Sequence, residues 1–119
     1  MNKGTNFSIT TQTALEADAG FEDTAASFLD VDGDGDLDLF VGAGGNERTS
    51  PENFKNRLYL NNGKGVFAKS TSIIPSANTN ISVIAPYDFD QDGHVYIFVG
   101  SRSVPGVYGI DPKHLLLEN

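Results

Sequence analysis

An acidic loop occurs twice in this chain, and the duplication limits what the chain can fold into. Residues 30–40 read DVDGDGDLDLF and residues 88–98 read DFDQDGHVYIF, so corresponding positions lie 58 residues apart (88 − 30 = 58). Each loop leads into an apolar run that ends in glycine, LFVG at Leu39–Gly42 and IFVG at Ile97–Gly100. A repeat of this length indicates two copies of one supersecondary unit, each of which must bury an apolar face against a neighbour.

The segments around the two loops have the pattern of short β-strands. They are rich in Val, Ile, Phe, Tyr and Leu and are bounded by Gly, Asn and Asp, which is typical of strands rather than helices. Asn62-Gly63 marks a hairpin between two of them, and only Thr11–Asp23 has some helical character. The predicted strands are Phe7–Thr10, Ala25–Leu29, Leu37–Val41, Arg57–Leu60, Val66–Lys69, Val83–Tyr87, Val95–Val99 and Leu115–Leu117.

Eight strands in two repeats predict an all-β fold with two four-stranded antiparallel units, residues 1–61 and 62–119. A four-stranded unit that repeats at this length is typical of a β-propeller blade. A single eight-stranded sandwich with similar halves is the alternative. Propellers have about four to eight blades, so two blades leave open edges that pair with other strands. We therefore expect a fragment of a longer propeller, a ring of several copies or a head-to-tail filament, with neighbouring blades or the chain itself as partner.

Composition excludes several classes of function. The formal net charge is -8, with 16 acidic and 8 basic residues, which argues against binding to nucleic acid or to an anionic membrane surface. Cysteine is absent, so the sequence contains neither a disulfide framework nor a thiolate metal site. No apolar run approaches the ~20 residues of a membrane span, and the opening MNKGTNFSIT lacks a hydrophobic signal core.

The acidic loops have the residue types and spacing of a calcium site. Asp30, Asp32, Asp34 and Asp38 occupy positions one, three, five and nine of the first loop, with glycines between them. Calcium takes about six to eight oxygen ligands, and the carbonyl of Asp36 can add a backbone oxygen. Ligation by oxygen alone favours Ca²⁺ over zinc or copper. A solvated acidic turn without a metal is the alternative.

An EF-hand loop has a similar start, but its twelfth position is a glutamate between two helices. The twelfth residue here is Val41, inside a predicted strand. The sequence therefore excludes an EF-hand or a dockerin-like module.

The motif DVDGDGDLDLFVG, followed by NRLYLNNGKGVF, resembles the FG-GAP/VCBS repeats of integrin-α-like β-propellers. The resemblance covers nearly the whole chain as two blades, and it implies Ca²⁺ in a loop between adjacent strands of each blade. It implies a first site at Asp30, Asp32, Asp34, Asp36 (through its carbonyl) and Asp38. It implies a second site at Asp88, Asp90, Asp92 and His94 (through its carbonyl), where Tyr96 stands at the ninth position.

Because a neutral phenol replaces a carboxylate at Tyr96, we expect the second site to bind more weakly or to remain empty. His94 and His114 are predicted to be exposed, and neither has partners for a catalytic triad. We therefore expect a non-enzymatic segment of an extracellular or cell-surface protein. The resemblance implies adhesion or recognition of a protein or glycan, with Gly42–Asn56 and Gly100–His114 as contact loops. A self-assembling structural subunit and an accessory module of a larger secreted enzyme are the alternatives.

Overall fold

The part of the chain that the structure describes folds into short antiparallel β-strands with one short α-helix. The computed structural model describes residues 2–45, 47 and 50–119. Among these residues, no helix has the length and apolar character needed to cross a membrane. The elements are β1 (Asn2–Lys3), β2 (Asn6–Phe7), α1 (Thr13–Ala17), β3 (Asp23–Leu29), β4 (Asp38–Ala43), a 3-10 helix (Pro51–Phe54), β5 (Arg57–Asn61), β6 (Phe67–Lys69), β7 (Asn80–Tyr87), β8 (Tyr96–Ser103) and β9 (Leu115–Leu117).

The strands form two main sheets, one for each acidic loop. The first sheet has the order β3-β4-β5-β6 and the second has the order β7-β8-β9, while β1 and β2 form a separate pair. Neighbouring strands are antiparallel throughout. Each acidic loop joins the first two strands of its sheet, so the expectation of an all-β, antiparallel fold is confirmed.

The division of strands between the sheets differs from the predicted four and four. β6 follows the Asn62–Gly65 turn and folds back on β5, which gives the first sheet its fourth strand and leaves three for the second. The strand predicted at Phe7–Thr10 ends at Phe7 and pairs with Asn2–Lys3 instead of joining a main sheet. The predicted boundary between residues 61 and 62 divides the sequence repeats, whereas the hydrogen-bonded sheets divide between β6 and β7.

The hydrophobic core lies between the two main sheets. Burying each apolar side chain stabilises the fold by about 1.5–3 kcal/mol, so this contact holds the sheets together. The two sheets approach each other closely at Gly42, where an added Cβ would lie 2.7 Å from Cγ2 of Ile81. The buried cluster consists of Leu29, Phe40 and Leu58 from the first sheet and Ile81, Ile84, Ile97 and Val99 from the second.

The far face of the first sheet is crossed by residues 12–21, which we call the strap. The strap contains α1, and Gln12 fixes its start by two hydrogen bonds to the backbone beside β6. The Gln12 amide donates to the carbonyl of Gly65 at 2.8 Å, and the N–H of Phe67 donates to Gln12 Oε1 at 3.1 Å.

The other end of the strap is held by charged and aromatic groups. Asp18 accepts hydrogen bonds from the Tyr59 hydroxyl at 2.7 Å and from Lys69 Nζ at 2.9 Å. The buried guanidinium of Arg57 lies 4.1 Å from the ring centroid of Phe21. Burial raises the pKa of Asp18, but the hydrogen bonds and charges of Lys69, Tyr59 and Arg57 outweigh it and hold that pKa below its usual value.

Candidate metal centre

The first acidic loop wraps around the side chain of Asp30. β3 ends just before this residue, and the chain turns through Gly33 and Gly35, whose φ angles are +76° and +91°. Glycine adopts such angles at little steric cost. Asp30 Oδ1 accepts a hydrogen bond from the N–H of Gly33 at 2.8 Å, and its Oδ2 accepts one from the N–H of Gly35 at 3.0 Å. The loop is therefore shaped by its first carboxylate.

Three of the predicted ligands meet in this loop. Asp30, Asp32 and Asp38 each offer a carboxylate oxygen, and these oxygens lie within 4.8 Å of one another. Calcium–oxygen distances are about 2.3–2.6 Å, so oxygens on opposite sides of one ion lie about 5 Å apart. The spacing and the all-oxygen donor set therefore fit a single calcium ion.

Asp38 is the most deeply placed member of this group. It is the first residue of β4, and its exposed fraction is 0%. Its Oδ2 accepts a hydrogen bond from the N–H of Val31 at 3.0 Å, and its Oδ1 accepts one from the N–H of Asn61 at 2.8 Å. Asp38 thus connects the loop to the end of β5.

Asp34 and Asp36 lie outside the group of converging carboxylates. Asp34 Oδ1 accepts the N–H of Asp36 at 2.9 Å, and the Asp36 carboxylate lies against Gly63 in the neighbouring hairpin. The expected ligand atom of Asp36 is its carbonyl, which stays a prediction. Loss of hydration raises the pKa of Asp32, and the negative charges of Asp34 and Asp38 raise it further. A cation would relieve this repulsion.

The second loop repeats this arrangement with a different third member. Asp88, Asp90 and Asp92 each offer an oxygen, and these oxygens also lie within 4.8 Å of one another. Asp88 accepts hydrogen bonds from the N–H groups of Asp92 at 3.2 Å and of Gly93 at 3.0 Å. The N–H of His94 donates to Asp92 at 2.8 Å. Three carboxylates therefore converge here, and the ninth position carries no carboxylate.

Tyr96 occupies the ninth position and turns its hydroxyl toward the loop. The hydroxyl lies 3.2 Å from Asp90 Oδ2 and 3.3 Å from Oε1 of Glu118, the residue after β9. Its ring centroid is 4.3 Å from that of Phe89. Burial and the hydrogen bond to Asp90 raise the pKa of Tyr96 to about 12, so the phenol is neutral at physiological pH. Sequence reasoning missed Glu118, because only the pairing of β8 with β9 brings it near the loop.

Both loops line one open cleft of about 600 Å³. Asp30 and Asp32 of the first loop and Gly93 and His94 of the second contribute to its wall. The Asn119 side chain donates a hydrogen bond to the carbonyl of Val31, so the end of the second repeat touches the first loop. Both acidic loops are therefore at the same end of the paired sheets.

The histidines and the predicted contact loops are placed as follows. His94 and His114 are exposed as predicted, and His114 Nδ1 accepts the N–H of Ser101 at 3.1 Å. Within Gly42–Asn56, residues 46, 48 and 49 lie outside the described part of the chain, and the 3-10 helix buries Phe54. Within Gly100–His114, residues 106–111 are exposed.

The sequence profile of the FG-GAP-like repeat matches residues 30–99, which is more than half of the chain. The chain belongs to the FG-GAP-like repeat family. The matched segment runs from the first residue of the first acidic loop into β8, so it contains both FG-GAP-like loops. The resemblance stated from the motifs is thereby confirmed. No curated protein and no solved structure matches the chain.

Proposed function

We propose that this FG-GAP-like chain is a non-enzymatic, calcium-binding segment of a β-propeller. The observation that carries the proposal is the convergence of Asp30, Asp32 and Asp38, one of them fully buried, in a loop between two strands. Asp38 already accepts two backbone hydrogen bonds, but three converging carboxylates repel one another unless a cation lies among them. Calcium would supply that positive charge.

The way in which the sheets pack supports blades rather than a sandwich of two similar halves. Phe40 of the first sheet is buried with 1% exposed, whereas Phe98, its counterpart 58 residues later, is 41% exposed. The second sheet turns Ile97 and Val99 toward the first sheet, and their counterparts Leu39 and Val41 lie on the far face of the first sheet. Different faces therefore meet at the contact, as they do between successive blades, whereas a two-fold symmetric sandwich would bring equivalent faces together.

Calcium in the first loop would have a structural role. It would hold the carboxylates of Asp30 and Asp32 against Asp38, which already connects the loop to β5 through Asn61. A metal that binds the folded loop but not the unfolded chain stabilises the folded state by linkage. We propose that the second loop binds more weakly, because Tyr96 offers a neutral phenol.

Calorimetric titration of the chain with CaCl₂, after removal of metal with EGTA, tests the proposal. We expect one tight site and one weaker site, and a melting temperature that rises with calcium. Magnesium serves as the control and should bind more weakly, because it requires near-ideal octahedral geometry. The absence of binding heat together with identical melting in calcium and in EGTA would overturn the proposal. Two equally tight sites would contradict the proposal that Tyr96 weakens calcium binding at the second loop.

We place the parent protein outside the cell or at its surface, where calcium is plentiful, with a role in adhesion or recognition of a protein or glycan. Within the predicted contact loop Gly100–His114, the exposed residues 106–111 support this role because they include Tyr108, whose side chain is fully exposed. Surface biotinylation of intact cells, followed by detection of the parent protein, tests the location. Labelling only after lysis would contradict it. The exposed apolar face of the second sheet favours self-assembly as a second candidate function.

A further inference from the structure

Each main sheet has an inner face, which points toward the other sheet, and a face that points away from it. The face of the second sheet that points away, its outer face, carries the residues that follow the inner-face residues of the first sheet by 58 positions. At three positions on the inner face of the first sheet, the exposed fractions are 4%, 1% and 7%. At the positions 58 residues later they are 71%, 41% and 59%. The three pairs are Leu29 and Tyr87, Phe40 and Phe98, and Leu58 and Leu116. The second sheet thus presents an uncovered copy of a face that elsewhere in this chain binds a sheet.

The same correspondence holds between the inner face of the second sheet and the far face of the first sheet, which points away from the second. Ile84, Ile97 and Val99 of the second sheet pack in the core, and subtracting 58 gives Ala26, Leu39 and Val41. The strap lies at this far face, and its Leu15 lines the same shallow cleft as these three residues. The strap therefore lies where the repeat pattern would place another sheet.

Three positions of the first sheet depart from the apolar pattern. Asp23 stands where the second sheet has the buried Ile81, and it pairs with Arg57. The other two positions, both in β5, contact the strap directly. Arg57 and Tyr59 stand where the second sheet has Leu115 and Leu117. The Tyr59 hydroxyl donates to Asp18 of the strap at 2.7 Å, and the Arg57 guanidinium lies over the Phe21 ring of the strap. The departures from the apolar pattern therefore match the strap rather than a second sheet.

We propose that the strap is an end cap, which takes the place of a further sheet on the first sheet. Among the faces of the two main sheets, the outer face of the second sheet is then the one left open for docking. It takes one sheet of the same repeat type that presents β-branched aliphatic side chains. The occupant follows from the internal contact, where Phe40 and Leu58 meet Ile84, Ile97 and Val99. Terminal repeats with a polar outer face have this role in other repeat arrays.

The cap predicts how copies of the chain associate. A wild-type copy has one free apolar sheet face, so it pairs at most once through that face. Without the cap, the far face of the first sheet can receive the outer face of another copy's second sheet. Such a head-to-tail contact does not close on itself, so it generates an open-ended series.

An uncapped variant tests the proposal by sedimentation velocity over a range of concentrations. Asp18→Ala, Arg57→Leu and Tyr59→Leu together release the strap and give the first sheet the leucines of the second. We expect the wild type to sediment as no species larger than a dimer, and the uncapped variant to form species that grow with concentration. Adding Phe98→Asp should abolish this growth. The matched control is Ile110→Asp, which changes an exposed apolar residue outside the sheets, more exposed than Phe98, and should leave growth unchanged.

Three results would overturn the end cap. They are an uncapped variant that is folded by circular dichroism yet sediments as the wild type, growth that survives Phe98→Asp, and open-ended growth of the wild type itself. If the triple variant does not fold, Gln12→Ala with Asp18→Asn changes the strap alone. This pair should produce the same growth to a smaller extent, and unchanged sedimentation would count against the cap. Each experiment is run in calcium and in EGTA, so that failure of the calcium proposal is distinguished from failure of this one.

Discussion

The hydroxyl of Tyr96 lies 3.2 Å from Oδ2 of Asp90, at the position where the first loop has the buried Asp38. A phenol can donate one hydrogen bond to a carboxylate, but it brings no negative charge to a cation. The second loop therefore has three converging carboxylates and a hydrogen bond where a fourth carboxylate would stand. The two loops of this chain therefore differ in whether the ninth position carries a carboxylate.

Replacing Tyr96 with aspartate should tighten calcium binding at the second loop. The new carboxylate restores the ninth position, and affinity rises with the number of charged ligands, by roughly an order of magnitude. Calorimetric titration would show two sites of similar affinity. Tyr96→Phe, which keeps the ring beside Phe89 but lacks the hydroxyl, should give no such gain. If Tyr96→Asp bound calcium no better than the wild type, the ninth position would not be a ligand in this loop.

Asp38→Asn should remove most of the rise in melting temperature that calcium causes. The amide keeps the shape of the side chain but loses the charge, and its nitrogen cannot accept the N–H of Val31 or of Asn61. The protein should therefore also lose about 1–3 kcal/mol in EGTA, because a half-buried backbone donor is left without a partner. Thermal melting with and without calcium measures both effects. Asp36→Asn, whose side chain lies outside the converging group, should change the calcium response less.

Gly42→Ala should destabilise the contact between the two sheets. Its Cβ would lie 2.7 Å from Cγ2 of Ile81, a buried core residue, and overpacking of this kind costs about 1–3 kcal/mol. Urea unfolding measures the loss. In an Ile81→Ala background the same substitution should cost less, because the crowded methyl group is gone. Equal losses in the two backgrounds would show that the crowding lies elsewhere.

Stability should fall at alkaline pH through Tyr59. Burial and the hydrogen bond to Asp18 raise the pKa of Tyr59 from 10.0 to about 12. The folded state therefore holds this proton more tightly, so the stabilisation is fully present below pH 10 and is lost as the pH rises through 12. In urea unfolding across this window, Tyr59→Phe should lose less stability than the wild type. Tyr96, whose pKa is also about 12, leaves a remaining slope in that variant. Parallel losses in the two proteins would contradict the assignment to Tyr59.

Local pattern predicted the seven strands of the two main sheets. The three converging carboxylates of each loop are among the predicted ligands, whereas Asp34, also predicted, lies outside the first group. The failures of the local pattern have physical causes. The predicted strands missed Asn80 at the start of β7 and Ser103 at the end of β8, because these polar residues carry no apolar alternation. Their side chains instead hydrogen-bond to each other across the pair at 2.8 Å. The 3-10 helix was not predicted, because Pro51 indicated an exposed loop. The helix nevertheless ends at Phe54, whose side chain is buried.

Contacts between residues far apart in the sequence could not be predicted either. Asp18 and Tyr59 are 41 positions apart, and only the path of the strap across the first sheet brings them together. The Asn62-Gly63 turn correctly predicted the hairpin that places β6 beside β5. The predicted division into four and four strands was wrong, because the repeat period carries no information on which sheet a strand joins. The hydrogen bond between Tyr96 and Asp90 likewise depends on side-chain directions that loop spacing does not define.

The junction between the two main sheets joins one kind of face of the first sheet to the other kind of face of the second. In a longer array that repeated this contact, every junction would be the same. Duplication or loss of one 58-residue unit in the gene would change the number of sheets without creating a new interface. Repeat number can therefore vary during evolution while each unit keeps its core. A fixed number of sheets must be enforced by something outside the unit, such as ring closure or a segment that ends the series.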